Sequence, residues 1–372
     1  MDRAVDLTQS SRPDTEQRGW QMATIIRDYS LTGADSKAAV ETGLAQADWY
    51  QTPIPRPRMK ELMQRRDGPA IRDTLLWIGL LVGFGTVGAL TWFSWVSVAA
   101  LFCYGVLYGS SGDSRWHEAG HGTAFRTPWM NEAVYQIASF MMMRNPTAWR
   151  WSHARHHTDT IIVGRDPEII AMRPPMLWKI IPNFLGIFDV PDSLGRMLRY
   201  AVGRLNADEK DYIPASEYHK VYREARVWVV IYAVTIAAVA ALGSIIPLML
   251  IGLPRMYGAW HHVMTGLTQH GGLADDVLDH RLNSRTIYMN PIGRFVYWNM
   301  NYHVEHHMYP LVPYHRLPDL HEEIKDDCVP ASPGLLSAYR EFGPVLWRQL
   351  KEPEFFIDRR PHLDAETPGT EA

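Results

Sequence analysis

A chain of 372 residues, 47% of them hydrophobic, with a formal net charge of -3, is long enough for one large domain and presents no global field aimed at nucleic acid. Its two cysteines, Cys103 and Cys328, lie far apart and outside any C-x-x-C pair, which excludes a disulfide framework and a built-in iron–sulfur cluster. Sixteen histidines and fourteen tryptophans are the unusual counts.

Met1 to about Ala47 reads as a weakly structured polar arm, without the basic-then-apolar pattern of a signal peptide. Trp49 to Arg72 collects Pro, Arg and Lys. Charge then vanishes: Thr74 to Gly112 contains no Asp, Glu, Lys or Arg. A spanning helix needs about 20 apolar residues, so this longer stretch predicts two spans joined by a turn near Thr91 to Trp95. A second charge-free block, Val227 to Pro254, predicts one span before Gly243. Another begins near Ile245 and runs past Arg255 toward Thr268. Between the two hairpins, Pro174 to Tyr200 mixes Trp178, Phe184 and Phe188 with Lys179, Arg196 and Arg199, a pattern for helices lying at a membrane interface. The tail after Leu363 is polar and reads as disordered.

The expected fold is therefore an all-α membrane protein with four transmembrane helices in two hairpins and a cytoplasmic helical cap. Residues 1–73 form the polar arm and basic juxtamembrane segment. Residues 74–321 form the membrane domain, and residues 322–372 a cytoplasmic C-terminal segment. The basic cluster before Thr74 marks the cytoplasmic side. Both hairpin turns lack charge and face outward, which leaves both termini and every other segment in the cytoplasm.

Three histidine segments then share one face of the membrane: His117-Glu-Ala-Gly-His121, His153-Ala-Arg-His156-His157 and His303-Val-Glu-His306-His307. Residues three or four apart share a helix face, so each segment can aim its imidazoles one way. Eight imidazoles are twice what one tetrahedral site needs, which predicts two metals close together. Imidazole suits Fe, Zn, Cu and Ni alike.

In the order of these boxes and spans, roughly Thr74 to His321, the chain resembles the membrane fatty-acid desaturase and hydroxylase superfamily. The resemblance implies two irons held by the box histidines, O2 as co-substrate and attack on an unactivated C–H bond of a lipid or small molecule. It also implies a further histidine after the last span, best matched by His270, with His261 and His262 as competitors. His219, His280, His315, His321 and His362 are read as non-ligands. Asp113, Glu118, Asp166 and Glu305 are candidates to accept the other imidazole N–H, with capping or solvated roles as the alternative. The segments from Gln269 to Asp275 and from Trp298 to Pro310 resemble, more narrowly, the bacterial hydrocarbon-oxygenase component of rhizopine catabolism. That likeness implies a bacterial inner membrane, oxidative demethylation of a methylated small molecule, and a separate [2Fe–2S] ferredoxin with its reductase as electron donor. Fatty-acyl desaturation or hydroxylation is the alternative. Arg144, Arg150, Arg155, Lys325 and Arg340 are candidates to steer such a donor. A rival of another class is a membrane zinc protease, because His117-Glu118-x-x-His121 also matches H-E-x-x-H; it leaves the two H-x-x-H-H boxes without a role.

Reporter fusions at Ser10, Asp208 and Thr367 are expected to score cytoplasmic, and one at Trp95 external. A periplasmic score at Asp208 would put the bilayer between the second box and the others and overturn this arrangement.

Overall fold

A computed structural model describes residues 27–45, 47–359 and 361; the tail beyond Leu363 and His362 lie outside the described residues. Among those residues the chain is helical, with only two isolated bridges, Thr286 to Tyr302 and Ile287 to Ser332, and no strand. The described part of the polar arm is folded onto the body, contrary to the sequence expectation. Helix α1 (Ala34–Glu41) buries Ala39, Leu31 is buried before it, and Arg27 and Arg173 both pair with Asp275.

Helix α2 (Arg56–Leu62) leads into α3 (Asp67–Leu90). Thr91 to Ser94 turn the chain, and Ser94 caps α4 (Trp95–Gly120) by accepting from Ser97 N–H at 3.2 Å. The pair runs antiparallel: Trp77 Nε1 donates to Leu107 O at 2.9 Å, and Ser97 Oγ to Gly88 O at 2.7 Å. Leu90, Phe93 and Trp95 at the turn are 82%, 92% and 88% exposed. Large apolar side chains left bare suit contact with lipid. Among the described residues, three helical runs are long and apolar enough to cross a membrane: Arg56–Leu90, Trp95–Gly120 and Ala215–Leu242. The protein is an integral membrane protein on this ground.

The fourth predicted span is not one helix. Ile245 to Thr268 breaks into Ile246–Leu250, Pro254–Tyr257 and α9 (Ala259–His270). Pro254 has no N–H for the ladder, and Gly252 sits at φ +97, a conformation that side-chain-bearing residues rarely adopt. The break lets backbones meet: a Cβ added at Gly258 would lie 2.0 Å from Gly105 O of α4. Small residues at helix contacts serve this close approach in membranes.

Between the spans, α5 (Pro128–Met142) packs along α4, and α6 (Pro146–Thr158) is capped by Asn145, whose side chain accepts from Ala148 N–H at 3.0 Å. Short helices then leave Trp178, Ile181 and Leu185 exposed, as expected for an interfacial segment. Helix α7 (Asp189–Ala201) buries Val190, Met197 and Tyr200 against α8 (Tyr218–Leu242). The third box forms α10 (His303–Met308), and α11 (Leu335–Arg348) closes over α9. The largest core cluster, with Trp116, Tyr135, Trp149, Trp298 and Tyr314, lies directly beside the boxes.

Gly258→Ala is expected to cost about 1–3 kcal/mol through overpacking, read as a lower unfolding midpoint in detergent. Gly79→Ala, where an added Cβ meets nothing within 4 Å, is the control and should not fall. Equal midpoints for both would refute the tight contact.

Candidate metal centre

The C-terminal end of α4 carries His117 and places His121 at its cap, while α6 carries His153, His156 and His157. Helix α10 carries His303, His306 and His307, and α9 ends on His270. These four helix segments bring the nine histidines into two adjoining sets. His117, His121, His153, His157 and His306 form one; His156, His270 and His307 form the other, joined by His303.

In the first set the Nε2 atoms stand 2.8 to 3.2 Å apart, His117 from His306 and His153, His153 from His121 and His157, and His157 from His306. In the second, His303 Nε2 is 3.0 Å from both His270 Nε2 and His307 Nε2. Ligands at right angles around a metal at ~2.1 Å lie about 3.0 Å apart, whereas tetrahedral ligands lie about 3.4 Å apart. The spacing and the number of nitrogens therefore fit higher coordination better than tetrahedral zinc.

The outer nitrogens explain why Nε2 is free. His153 Nδ1 donates to Glu168 at 2.9 Å and His156 Nδ1 to Asp166 at 2.8 Å. His270 Nδ1 donates to Asn283 O at 2.7 Å, and His307 Nδ1 reaches Thr160 Oγ1 at 3.3 Å. A neutral imidazole has one N–H, so a ring that donates through Nδ1 presents a lone pair at Nε2. Burial holds His153, His157, His303, His306 and His307 well below the usual imidazole range. Burial opposes charge on His156 too, but Asp166 beside it raises its pKa on balance. Neutral lone pairs facing one another at 3 Å repel unless a cation lies between them, so the residues present fit a pair of metal ions.

The other sequence candidates lie elsewhere. Asp113 pairs with His262 Nδ1 at 3.2 Å, and His261 Nδ1 with Ser110 Oγ at 2.6 Å, so neither competitor joins the sets. Glu118 accepts from Thr123 Oγ1 at 2.8 Å and Tyr314 N–H at 3.0 Å. Its carboxylate is engaged away from the imidazoles, unlike the general base of a zinc protease. Glu305 holds Thr286 and His321, a histidine outside both sets. His219 and His315 are also outside them, whereas His280 is buried with its ring 5.2 Å from His307. Glu168 was missed by sequence reasoning; its signal is its place in Arg165-Asp-Pro-Glu168, two residues past Asp166. Of the basic candidates, Arg150, Arg155 and Lys325 are already paired with Glu132, Asp211 and Glu322, which lowers the field they offer a donor.

A cavity of about 310 Å³ reaches His117, His153, His156, His270 and His303. Trp149, stacked on His153 at 4.2 Å, forms part of its wall, as do Asp113, Arg144, Asp189 and His262.

A family model for fatty acid desaturase matches residues 90–338, a range that contains all nine histidines. The chain is similar to an acyl-lipid omega-3 desaturase (cytochrome b5) of the endoplasmic reticulum from Arabidopsis thaliana, at 23% identity over 260 residues. That match covers 60% of this chain and 64% of the plant enzyme. An omega-3 fatty acid desaturase of the endoplasmic reticulum from Vigna radiata var. radiata is 22% identical over 312 residues, 73% of this chain and 75% of that enzyme. A Delta(9) fatty acid conjugase-like enzyme from Dimorphotheca sinuata is 22% identical over 271 residues, covering 63% and 69%.

His306→Ala is expected to lose most bound metal while the chain still inserts in the membrane. Asp166→Asn and Glu168→Gln should keep metal less tightly, by about 10–100-fold, in a chelator competition. Unchanged metal content in all three would refute the assignment.

Proposed function

The chain belongs to the fatty acid desaturase family, and we propose on that premise that it is a membrane-bound, non-haem di-iron oxygenase acting on an unactivated C–H bond. Enzymes of this family are O2-dependent oxidoreductases. The observation that carries the reading is the convergence of nine imidazoles in two adjoining sets. His117, His121, His153, His157 and His306 would hold one iron, and His156, His270, His303 and His307 the other. Two irons bound there would supply the activation of O2 toward a C–H bond.

The chain's own residues do the rest. Asp166 and Glu168 fix the orientation of His156 and His153. Trp149, packed between His153 and Trp116, covers the first set from one side and excludes water. The substrate enters through the cavity that touches both sets. The relatives support an acyl chain, desaturated or hydroxylated. The charged part of the lining, with Asp113, Arg144 and Asp189, favours a second reading, a small polar molecule whose methyl group is hydroxylated and leaves as formaldehyde. The site faces the cytoplasm of a bacterial cell, four membrane crossings include the broken Ile246–His270 segment, and electrons come from a separate ferredoxin or cytochrome b5 with its reductase.

Purified iron-loaded chain with NADH, O2 and substrate alone should form no product. Adding a ferredoxin or cytochrome b5 with its reductase should restore turnover. Acyl-phospholipid and methoxylated polyol are the two substrates to compare, by alkene or alcohol against formaldehyde. Turnover with NADH and no added protein would refute the need for a carrier, and product from neither substrate would refute both substrate classes.

A further inference from the structure

Trp49 stands at the outer end of a short column of rings that leads to the second imidazole set. Its indole lies face to face on His280, with 4.2 Å between ring centroids and 4° between planes. His280 is 3% exposed and its ring is 5.2 Å from that of His307. Nδ1 of His280 is buried with no hydrogen-bond partner. Buried polar atoms normally have one, so ring packing sets the place of this imidazole. Trp49 is half-buried, and its Nε1 donates to Thr158 O at 2.9 Å, at the end of α6. One indole thus touches solvent, the box-bearing helix and a ring next to a proposed ligand.

We propose that Trp49 and His280 form the path by which electrons enter from a separate one-electron carrier protein that docks over Trp49. This rests on the di-iron reading above. Hydroxylation consumes RH, O2, two electrons and two protons and yields ROH and water; desaturation consumes the same two electrons and yields an alkene and two waters. A reduced haem or iron–sulfur carrier supplies the electrons one at a time and is itself oxidised. Electronic coupling falls steeply across gaps, and stacked π faces shorten the gap from solvent to His307. A leucine at position 49 would cover His280 but interrupt the π column. The neighbouring Tyr50 carries Arg281 on its ring at 3.6 Å, and Arg281 is paired with Asp327. Arg281 is also paired with Asp279, so this part of the docking face is aromatic and carries one cation between two carboxylates, which suits a carrier held by shape and ring contact more than by an acidic surface of its own.

The test uses full-length, iron-loaded chain in nanodiscs, oxidised and mixed with pre-reduced soluble cytochrome b5 or a [2Fe–2S] ferredoxin. Trp49→Leu should slow reduction of the centre by the competent carrier about tenfold and weaken that carrier's binding to zinc-loaded chain. Reduction by dithionite and iron content should not change. Trp49→Phe, which keeps a ring but loses the bond to Thr158, should reduce at close to the wild-type rate. Equal carrier-driven rates in wild type and Trp49→Leu would overturn the path. So would parallel losses in Trp49→Leu and Trp49→Phe, which mark a structural clamp, and so would reduction of the wild type by neither carrier. Metal analysis of the wild type is read first: a chain that takes up no iron sinks the di-iron reading itself.

Discussion

Nine imidazole lone pairs have to meet in one protein interior, and the rest of the fold answers to that constraint. Each ring must be neutral to offer a lone pair, and each is turned so that Nε2 faces the others. Burial favours the neutral form because it disfavours charge, and at His156 alone the neighbouring Asp166 outweighs it. Orientation comes from the outer nitrogen where a partner exists, through Glu168, Asp166 and Asn283 O. Nδ1 of His157, His303 and His306 is buried without such a partner, so packing alone aims those rings. Such a set is costly by itself, since dipoles aligned toward one point repel in a low-dielectric interior. It becomes favourable when cations occupy the two centres, which makes metal binding part of the folding energy.

The helices serve that convergence. Helix α4 must cross the apolar layer and still end on a histidine, so its exposed, apolar first half gives way to a buried, polar second half. At that second half, Arg115 is buried among Trp77, Phe295 and Trp298, each ring within about 5 Å of its guanidinium carbon. The broken segment before α9 has the same logic. A straight helix from Ile245 to His270 would keep α9 in line with the preceding span. Breaks at Gly252 and Pro254, together with the bare contact of Gly258 on Gly105, lay α9 against α4 and deliver His270 to the second set.

The same close packing shapes what can reach the metals. Trp116, Trp149 and His153 stack in sequence along one side of the first set. Against the sets lies a cavity lined by imidazoles, charged side chains and apolar residues together. Part of the charge in its lining is paired, Asp189 with Arg255 and Asp113 with His262. An acyl chain and a polar substrate would meet this wall on very different terms.

Much of this was legible in the sequence. Two charge-free blocks announced apolar helices, because a residue bearing charge is expensive in hydrocarbon and its absence over such lengths is rarely accidental. Histidines at intervals of three and four announced shared helix faces, because that spacing is a property of the helix itself. His270 was reachable only through family resemblance, and Glu168 left no signal beyond its place two residues past Asp166. Asp113, Glu118 and Glu305 sit within or near the boxes in sequence yet turn to His262, Thr123 and His321. Sequence distance does not tell which way a carboxylate points once α4 and α10 are docked. The breaking of the fourth span, the folding of residues 27–45 onto the body and the stacking of Trp49 on His280 are likewise tertiary. Local periodicity determined which residues share a face, whereas long-range packing decided which faces meet, since that choice depends on contacts between segments more than two hundred residues apart.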